Sequence, residues 1–390
     1  MDASTQVGQC RVVVVGTGGN IGSHLVPHLA RMASIGWLTL IDPDVYEEHN
    51  LQNQAIAGWA VGENKARVQA HVIHGINPGI EITVCAERVE DVPLGLLRAD
   101  LILACLDNRR ARQYVNEAAW QLGVPWLDAG VLADGLLARL DLYIPAPAAP
   151  CLECRWDTAD YAALEQKYAC EGDAQAAPAT AAPSALGALA AALQALECER
   201  LLSARAPAGS LVAGEQIVLA AAHHRHYRTM LKRNAHCRLG AHEVWTIAPL
   251  DEPPETSTVG SLLDRIAQQF GPHSDIRLSI AGKQFVRALT CHTCDQSQPT
   301  LCLSSAAAAR TARCGRCHGA MVISGFGMSE QLEAAALSAA ERATSLSALG
   351  IRAHEIITLT MGGADYHIEF CPAPAPRSAM TDQLLLGVAS

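Results

Sequence analysis

Apolar and polar positions in the first part of the chain alternate between short β-branched runs and amphipathic stretches. Residues 11–15 read RVVVV and stop abruptly at Gly16-Thr17-Gly18-Gly19-Asn20-Ile21-Gly22-Ser23. Leu25, Leu29 and Met32 then recur at helical spacing within 24–33, and a second strand, WLTLID, ends at Asp42. Strand, glycine-rich loop, helix, strand and terminal acid, in that order, predict the opening of a doubly wound, Rossmann-like α/β sheet. Residues 80–86 and 100–105 read as further parallel strands and 109–122 as a crossover helix. The alternation over 136–144 is less clean and suits an antiparallel part of the sheet.

After Cys154 the pattern changes. Residues 157–184 carry Ala, Pro, Gly and Thr with little periodicity, which predicts a loop or crossover segment over about 155–184. An Ala/Leu helix over 185–203 and a strand-rich stretch over 211–222 come next, then the basic, His-rich HHRHYRTMLKR, read as an element surface. From about Val244 the pattern restarts, with a linker at EPPET, a helix at 259–270 and a strand near 276–290. A helix at 328–347 and a strand pair at 355–371 complete it. The expected organisation is a larger α/β domain over 1–245 and a smaller α+β domain over 255–390.

Composition narrows the class. The 390 residues include 29 Lys+Arg and 39 Asp+Glu, a net charge of −10, with half the chain apolar and 17% charged. That balance excludes a disordered chain. The mean hydropathy of +0.13 owes much to Ala. The longest apolar stretch, 185–196, contains Gln194 and falls short of the ~20 residues a span needs. The N-terminus has no basic segment before an apolar run, so a cytoplasmic protein is expected and membrane association is not. An acidic chain is a poor general nucleic-acid binder.

Six of the 14 cysteines form three C-x-x-C pairs, Cys151/Cys154, Cys291/Cys294 and Cys314/Cys317. In a long chain without a secretory leader this spacing points to thiolate zinc ligands, because one tight turn can supply two corners of a tetrahedron. The last two pairs, 19 residues apart, read as a zinc ribbon with a closed Cys₄ shell, hence structural. Glycines at a strand-to-helix turn admit a phosphate to free N–H groups, and Asp42, 20 residues beyond Gly22, is placed to hold ribose hydroxyls. This much suits an NAD-dependent oxidoreductase equally well.

The residues beyond Asp42 separate the alternatives. The chain runs Asp42-Pro43-Asp44-Val45, then Asn50-Leu51-Gln52-Asn53-Gln54, then Lys65, then Asp107-Asn108. Over about residues 10–245 this ordered series resembles the ThiF/ubiquitin-activating-enzyme family, whose adenylation domain carries D-x-D-x-V, N-L-x-R-Q, K and D-N in this order. The resemblance implies ATP-dependent adenylation of the C-terminus of a ubiquitin-like or sulfur-carrier protein, in a homodimer. ATP would lie over Gly16, Gly18, Gly19 and Gly22; Asp42 would bind ribose, Asn50 and Lys65 the phosphates, and Asp107 magnesium.

The resemblance also implies a first structural zinc on Cys151, Cys154, Cys237 and His242, and a thioester-forming nucleophile at Cys170 in the crossover segment. The chain departs from the family in two places. Asn53 stands where the family has Arg, with Arg11 or a neighbouring subunit as candidate replacements, and the glycine loop is about one residue longer. The C-terminal ribbon suggests a bacterial ubiquitin-like conjugation pathway and a protein partner, such as the carrier or a conjugating enzyme. A non-catalytic carrier-binding scaffold with a degenerate adenylation fold remains the other alternative.

Overall fold

The computed structural model describes residues 9–165, 182–203, 209–240, 242–250, 254–270, 275–308, 312–323 and 327–370. Two compact units divide the chain at Val244/Trp245, with Pro93–Leu96 grouped with the second.

The first unit is built on an eight-stranded sheet in the order β3-β2-β1-β4-β5-β6-β7-β8. Its strands are β1 (Cys10–Val15), β2 (Ile35–Ile41), β3 (Glu81–Cys85), β4 (Leu101–Ala104), β5 (Trp126–Leu132), β6 (Leu137–Tyr143), β7 (Glu215–Ala220) and β8 (Arg225–Met230). The first five run parallel and the last three antiparallel. Val12 to Val15 are buried on both faces, as a β-branched run at the centre of a parallel sheet must be. Strand order reverses between β1 and β4, so a crevice opens at their carboxyl ends.

Helices α1 (Gly22–Leu29), α2 (Lys65–Ile76), α3 (Arg109–Leu122), α4 (Thr158–Glu165) and α5 (Ser184–Leu202) complete this unit. The Ala-rich face of α5, through Ala190, Ala191 and Ala195, joins Leu127, Leu140 and Val14 in one core. Small side chains let that helix lie close enough for one buried polar group to reach the sheet. Gln194 Nε2 donates to the carbonyls of Ala104 at 3.2 Å and Leu127 at 3.1 Å, while Cys105 Sγ donates to Gln194 Oε1 at 3.3 Å. The His-rich tract forms β8, exposed at every residue.

The second unit carries a five-stranded sheet and a four-stranded one. The larger sheet joins β9 (Ile247–Leu250), β10 (Arg277–Ser279), β15 (Gln331–Glu333), β16 (Ile356–Met361) and β17 (Ala364–Phe370). Helix α6 (Val259–Phe270) packs Val259, Leu262, Leu263 and Ile266 into its core. The smaller sheet is formed by β11 (Phe285–Cys291), β12 (Ser297–Leu303), β13 (Met321–Ile323) and β14 (Met328–Ser329).

The helix expected over 328–347 is not formed. That stretch contributes β14, β15, the one-turn helix α8 (Ala339–Arg342) and the start of α9 (Leu346–Leu349), with α7 (Ser304–Ala308) before it. Alanine propensity loses here to strand pairing with β10 and to punctuation: Ser338 and Ser345 accept N-terminal N–H groups of α8 and α9. The strand expected near 276–290 is two strands, β10 and β11. Among the described residues no helix is long and apolar enough to cross a membrane.

The Gln194 contacts yield a direct check. Gln194→Leu leaves two buried carbonyls without their donor, and about 2–4 kcal/mol of stability should be lost in urea unfolding. A loss under about 0.5 kcal/mol would contradict the bracing role.

Candidate nucleotide-binding and metal centres

The glycine loop leaves β1 at the point where the strand order reverses. Gly16 has φ +81°, and a Cβ there would lie 2.6 Å from the Cys105 carbonyl oxygen. A Cβ on Gly18 would lie 2.4 Å from Lys65 Cβ and 2.6 Å from Tyr46 Oη. Gly22 is pressed against the Gly16 carbonyl, whereas Gly19 has nothing nearer than 3.9 Å to a Cβ, so its main chain stays approachable.

Three of the residues singled out in the sequence meet at this loop. The Gly18 N–H donates to Asp42 Oδ2 at 2.9 Å, and the Asp44 N–H donates to Asp42 Oδ1 at 3.1 Å. Asp42 is buried, and burial pushes its carboxyl up to about 6 even though the Gly18 N–H, the Lys65 charge and the Asp44 N–H all favour the ionised form. Lys65 opens α2 behind Asn64, whose side chain caps the helix by accepting the Arg67 N–H. Its Nζ donates to Asp44 Oδ2 at 3.0 Å; the Lys65 side chain is 11% exposed and that of Asp44 62%. Lys65 is therefore a seated cation with an exposed, displaceable counter-ion, not a solvated helix charge.

Asn50 is buried, and its Oδ1 accepts the Glu47 N–H at 2.9 Å, which closes a one-turn helix over Glu48–Gln52. The Asn53 and Gln54 N–H groups donate to the Asn50 carbonyl at 3.2 and 2.9 Å. Asn53 Oδ1, Gln54 Oε1 and Thr17 Oγ1 are buried without a partner among the described residues.

Asp107 lies just beyond β4 and is exposed. No hydrogen bond joins it to the Asp42–Lys65 cluster among the described residues. Asn108 caps α3 by accepting the Ala111 N–H at 2.8 Å. Arg11 does not replace the family arginine. It lies at the start of β1, opposite the glycine loop, its guanidinium stacks 5.0 Å over Trp37, and its N–H donates to Asp100 Oδ2. Cys170 lies outside the described residues.

Sequence reasoning missed a charged network beside this mouth. Asp128 and Asp141, cross-strand partners on β5 and β6, are fully buried. Asp128 accepts from Arg112 Nε at 2.9 Å and Arg139 Nη2 at 2.6 Å; Asp141 accepts from Arg155 at 3.2 Å and also pairs with Arg139. Burial alone would raise the Asp128 carboxyl, but the Arg112 and Arg139 guanidiniums more than offset it and hold it below the usual range. Arg112 also donates to the Leu106 carbonyl, one residue before Asp107. The signal was present in LDAG and ARLDLY, where charges interrupt apolar strands.

Two sets of metal-ligating groups converge. Cys151 Sγ stands 3.8 Å from Cys154 Sγ and 3.5 Å from Cys237 Sγ, and Cys154 Sγ stands 3.5 Å from His242 Nε2. His242 Nδ1 lies 2.9 Å from the Gly240 carbonyl, which directs Nε2 inward, and its ring packs edge-on to Trp120. In the second unit Cys291–Cys317, Cys294–Cys314 and Cys294–Cys317 lie 3.4, 3.6 and 3.4 Å apart. Tetrahedral zinc with ~2.3 Å bonds to sulfur separates its sulfurs by roughly 3.8 Å, so both donor sets fit that ion. All four groups of the first set are buried; Cys294 and Cys317 leave the second more open.

Parts of this chain are similar to known proteins. A rice (Oryza sativa subsp. japonica) protein, ubiquitin-like modifier-activating enzyme 5, is 32% identical over 158 residues, which cover 37% of this chain and 37% of that protein. The sulfur carrier protein ThiS adenylyltransferase of Escherichia coli K12 is 29% identical over 159 residues, covering 40% of this chain and 62% of that one. The chain thus spans less than two thirds of the length of these curated relatives. Among solved structures, E. coli MccB with AMPCPP and MccA superposes with a TM-score of 0.48 at 24% identity, over 59% of this chain and 66% of that one. The ThiF family pattern matches residues 1–239, more than half of the chain, and the protein belongs to the ThiF family.

Proposed function

We propose that this protein uses ATP to adenylate the C-terminal carboxylate of a ubiquitin-like or sulfur-carrier protein. The observation that carries the reading is the seating of Gly18, Asp42 and Lys65 on one another at the strand-order reversal of a ThiF-family domain. With the family shown, a nicotinamide oxidoreductase has no support beyond the glycine loop itself.

A carboxylate oxygen of the carrier tail attacks the α-phosphorus, the bond to the bridging oxygen breaks, and pyrophosphate leaves an acyl-adenylate. Main-chain N–H groups of the glycine loop other than those of Gly16 and Gly18, which the Ile41 carbonyl and Asp42 hold, would offset with Lys65 Nζ the charge that builds on the phosphoryl oxygens. Lys65 would exchange Asp44 for phosphate, at small cost because that carboxylate is exposed. Asp42, ionised above about pH 6, retains acceptor capacity for ribose hydroxyls. The exposed Asp107 carboxylate suits magnesium, which would neutralise phosphate charge when bound. Zinc on Cys151, Cys154, Cys237 and His242, and on Cys291, Cys294, Cys314 and Cys317, would be structural in both units.

In a second step the Cys170 thiolate would attack the activated carbonyl, releasing AMP and forming a thioester. The family habit of pairing adenylation domains makes a homodimer the expected assembly. Carrier docking without catalysis is the rival reading, favoured by Asn53 in the arginine position.

Exchange of labelled pyrophosphate into ATP, dependent on a carrier with a free C-terminus, tests the reaction. Lys65→Ala and Asp107→Ala should each slow it by about 10²-fold or more; full exchange in both variants would overturn the roles given to these two residues, and a wild-type chain that shows no exchange would leave only the docking role. Cys170→Ala should keep exchange while losing any thiol-reducible carrier adduct. ATP affinity should be flat from pH 7 to 8 and weaken below about pH 6, as protonation turns the Asp42 acceptor into a donor; Asp42→Asn should abolish that limb. Elemental analysis should find two zinc ions per chain, reduced by one in Cys237→Ser and by one in Cys314→Ser. A wild-type chain without zinc would contradict both assignments.

A further inference from the structure

The two departures from the family pattern touch one another. The glycine loop exceeds the family's by about one residue, and within it Asn20 Nδ2 donates at 3.0 Å to the carbonyl of Asn53, the residue that replaces the family arginine. The same Nδ2 donates at 3.0 Å to the carbonyl of Ala182, just before α5. We propose that Asn20 is a positioning residue that fixes this chain's nucleotide loop against two main-chain carbonyls, an inference that rests on the adenylation reading.

Both acceptors are main-chain atoms, so the contact sets where two backbone segments lie whatever their side chains do. Neighbouring ties hold the same segments: the Ala55 N–H donates to Ser23 Oγ at 2.9 Å, and His24 Nε2 lies 3.0 Å from Ser184 Oγ. The first turn of α5 is shaped to Asn20. A Cβ on Gly187 would lie 1.6 Å from Asn20 Oδ1 and 2.5 Å from its carbonyl oxygen, so only glycine admits the amide there.

Asn20 comes directly after Gly18 and Gly19, whose main chain faces the phosphates in the adenylation reading. An amide spending both Nδ2 protons on fixed carbonyls holds that stretch in place before nucleotide arrives, and pre-organised donors bind more tightly.

Titration of ATP and magnesium onto the full-length chain, with exchange kinetics at varied ATP, tests this. Asn20→Ala should weaken ATP binding and raise the KM for ATP by about tenfold, the worth of two hydrogen bonds, with kcat at saturating ATP within about twofold. Asn20→Asp keeps the shape but turns a carboxylate toward two carbonyls, so it should lose at least as much. Gly187→Ala, which displaces the amide, should do the same. Variants that bind ATP like the wild type, or lose kcat with an unchanged KM for ATP, overturn the inference and leave the adenylation reading standing. A wild-type chain that binds no ATP overturns both.

Discussion

The candidate site depends on how closely the first loop's main chain approaches its neighbours. At Gly16 and Gly18 a single added carbon would fall 2.6 Å from the Cys105 carbonyl oxygen and 2.4 Å from Lys65 Cβ. Such distances admit no side chain, and they let the Gly18 N–H reach a carboxylate at the end of the neighbouring strand. That approach brings with it the burial of Asp42, its raised carboxyl and the seating of Lys65 beside the loop. Solvation would keep an exposed aspartate near its ordinary value. Here burial outweighs two backbone donors and a lysine, and the carboxylate is held in a poised state.

Around that loop, buried polar groups link the elements to one another. Gln194 ties the carboxyl end of β4 and the start of β5 to α5, and the Asp128–Arg139–Asp141 cluster ties β5 to β6 with Arg112 reaching back to the Leu106 carbonyl. Buried charges of this kind stabilise little by themselves, since desolvation opposes their attraction. Their value is geometric: the turn that carries Asp107 is held from the sheet side while its carboxylate stays free of partners among the described residues.

Much of this was legible in the sequence because it rests on local signals. The RVVVV run, the glycines, Asp42 and the Cys-x-x-Cys pairs each act through a spacing of a few residues, and the structure places them at a strand end, a turn or a tight loop. The features that escaped the sequence are long-range. Arg112, Asp128 and Arg139 become partners only when β5 and β6 pair, and Asn20 meets Ala182 across 162 residues. The helix expected over 328–347 failed for the same reason: Gln331–Glu333 pairs with β10 far earlier in the chain, and that pairing outweighs the helix preference of alanine.

The central claim is that a triphosphate rests on the Gly16–Gly22 loop with its ribose at Asp42. A crystal structure with a non-hydrolysable ATP analogue and manganese tests it most directly, since manganese scatters anomalously. The account predicts phosphates over the main chain of Gly18 and Gly19, ribose hydroxyls on the Asp42 carboxylate, and the anomalous peak beside Asp107. An analogue bound elsewhere, or a manganese peak remote from Asp107, would contradict it.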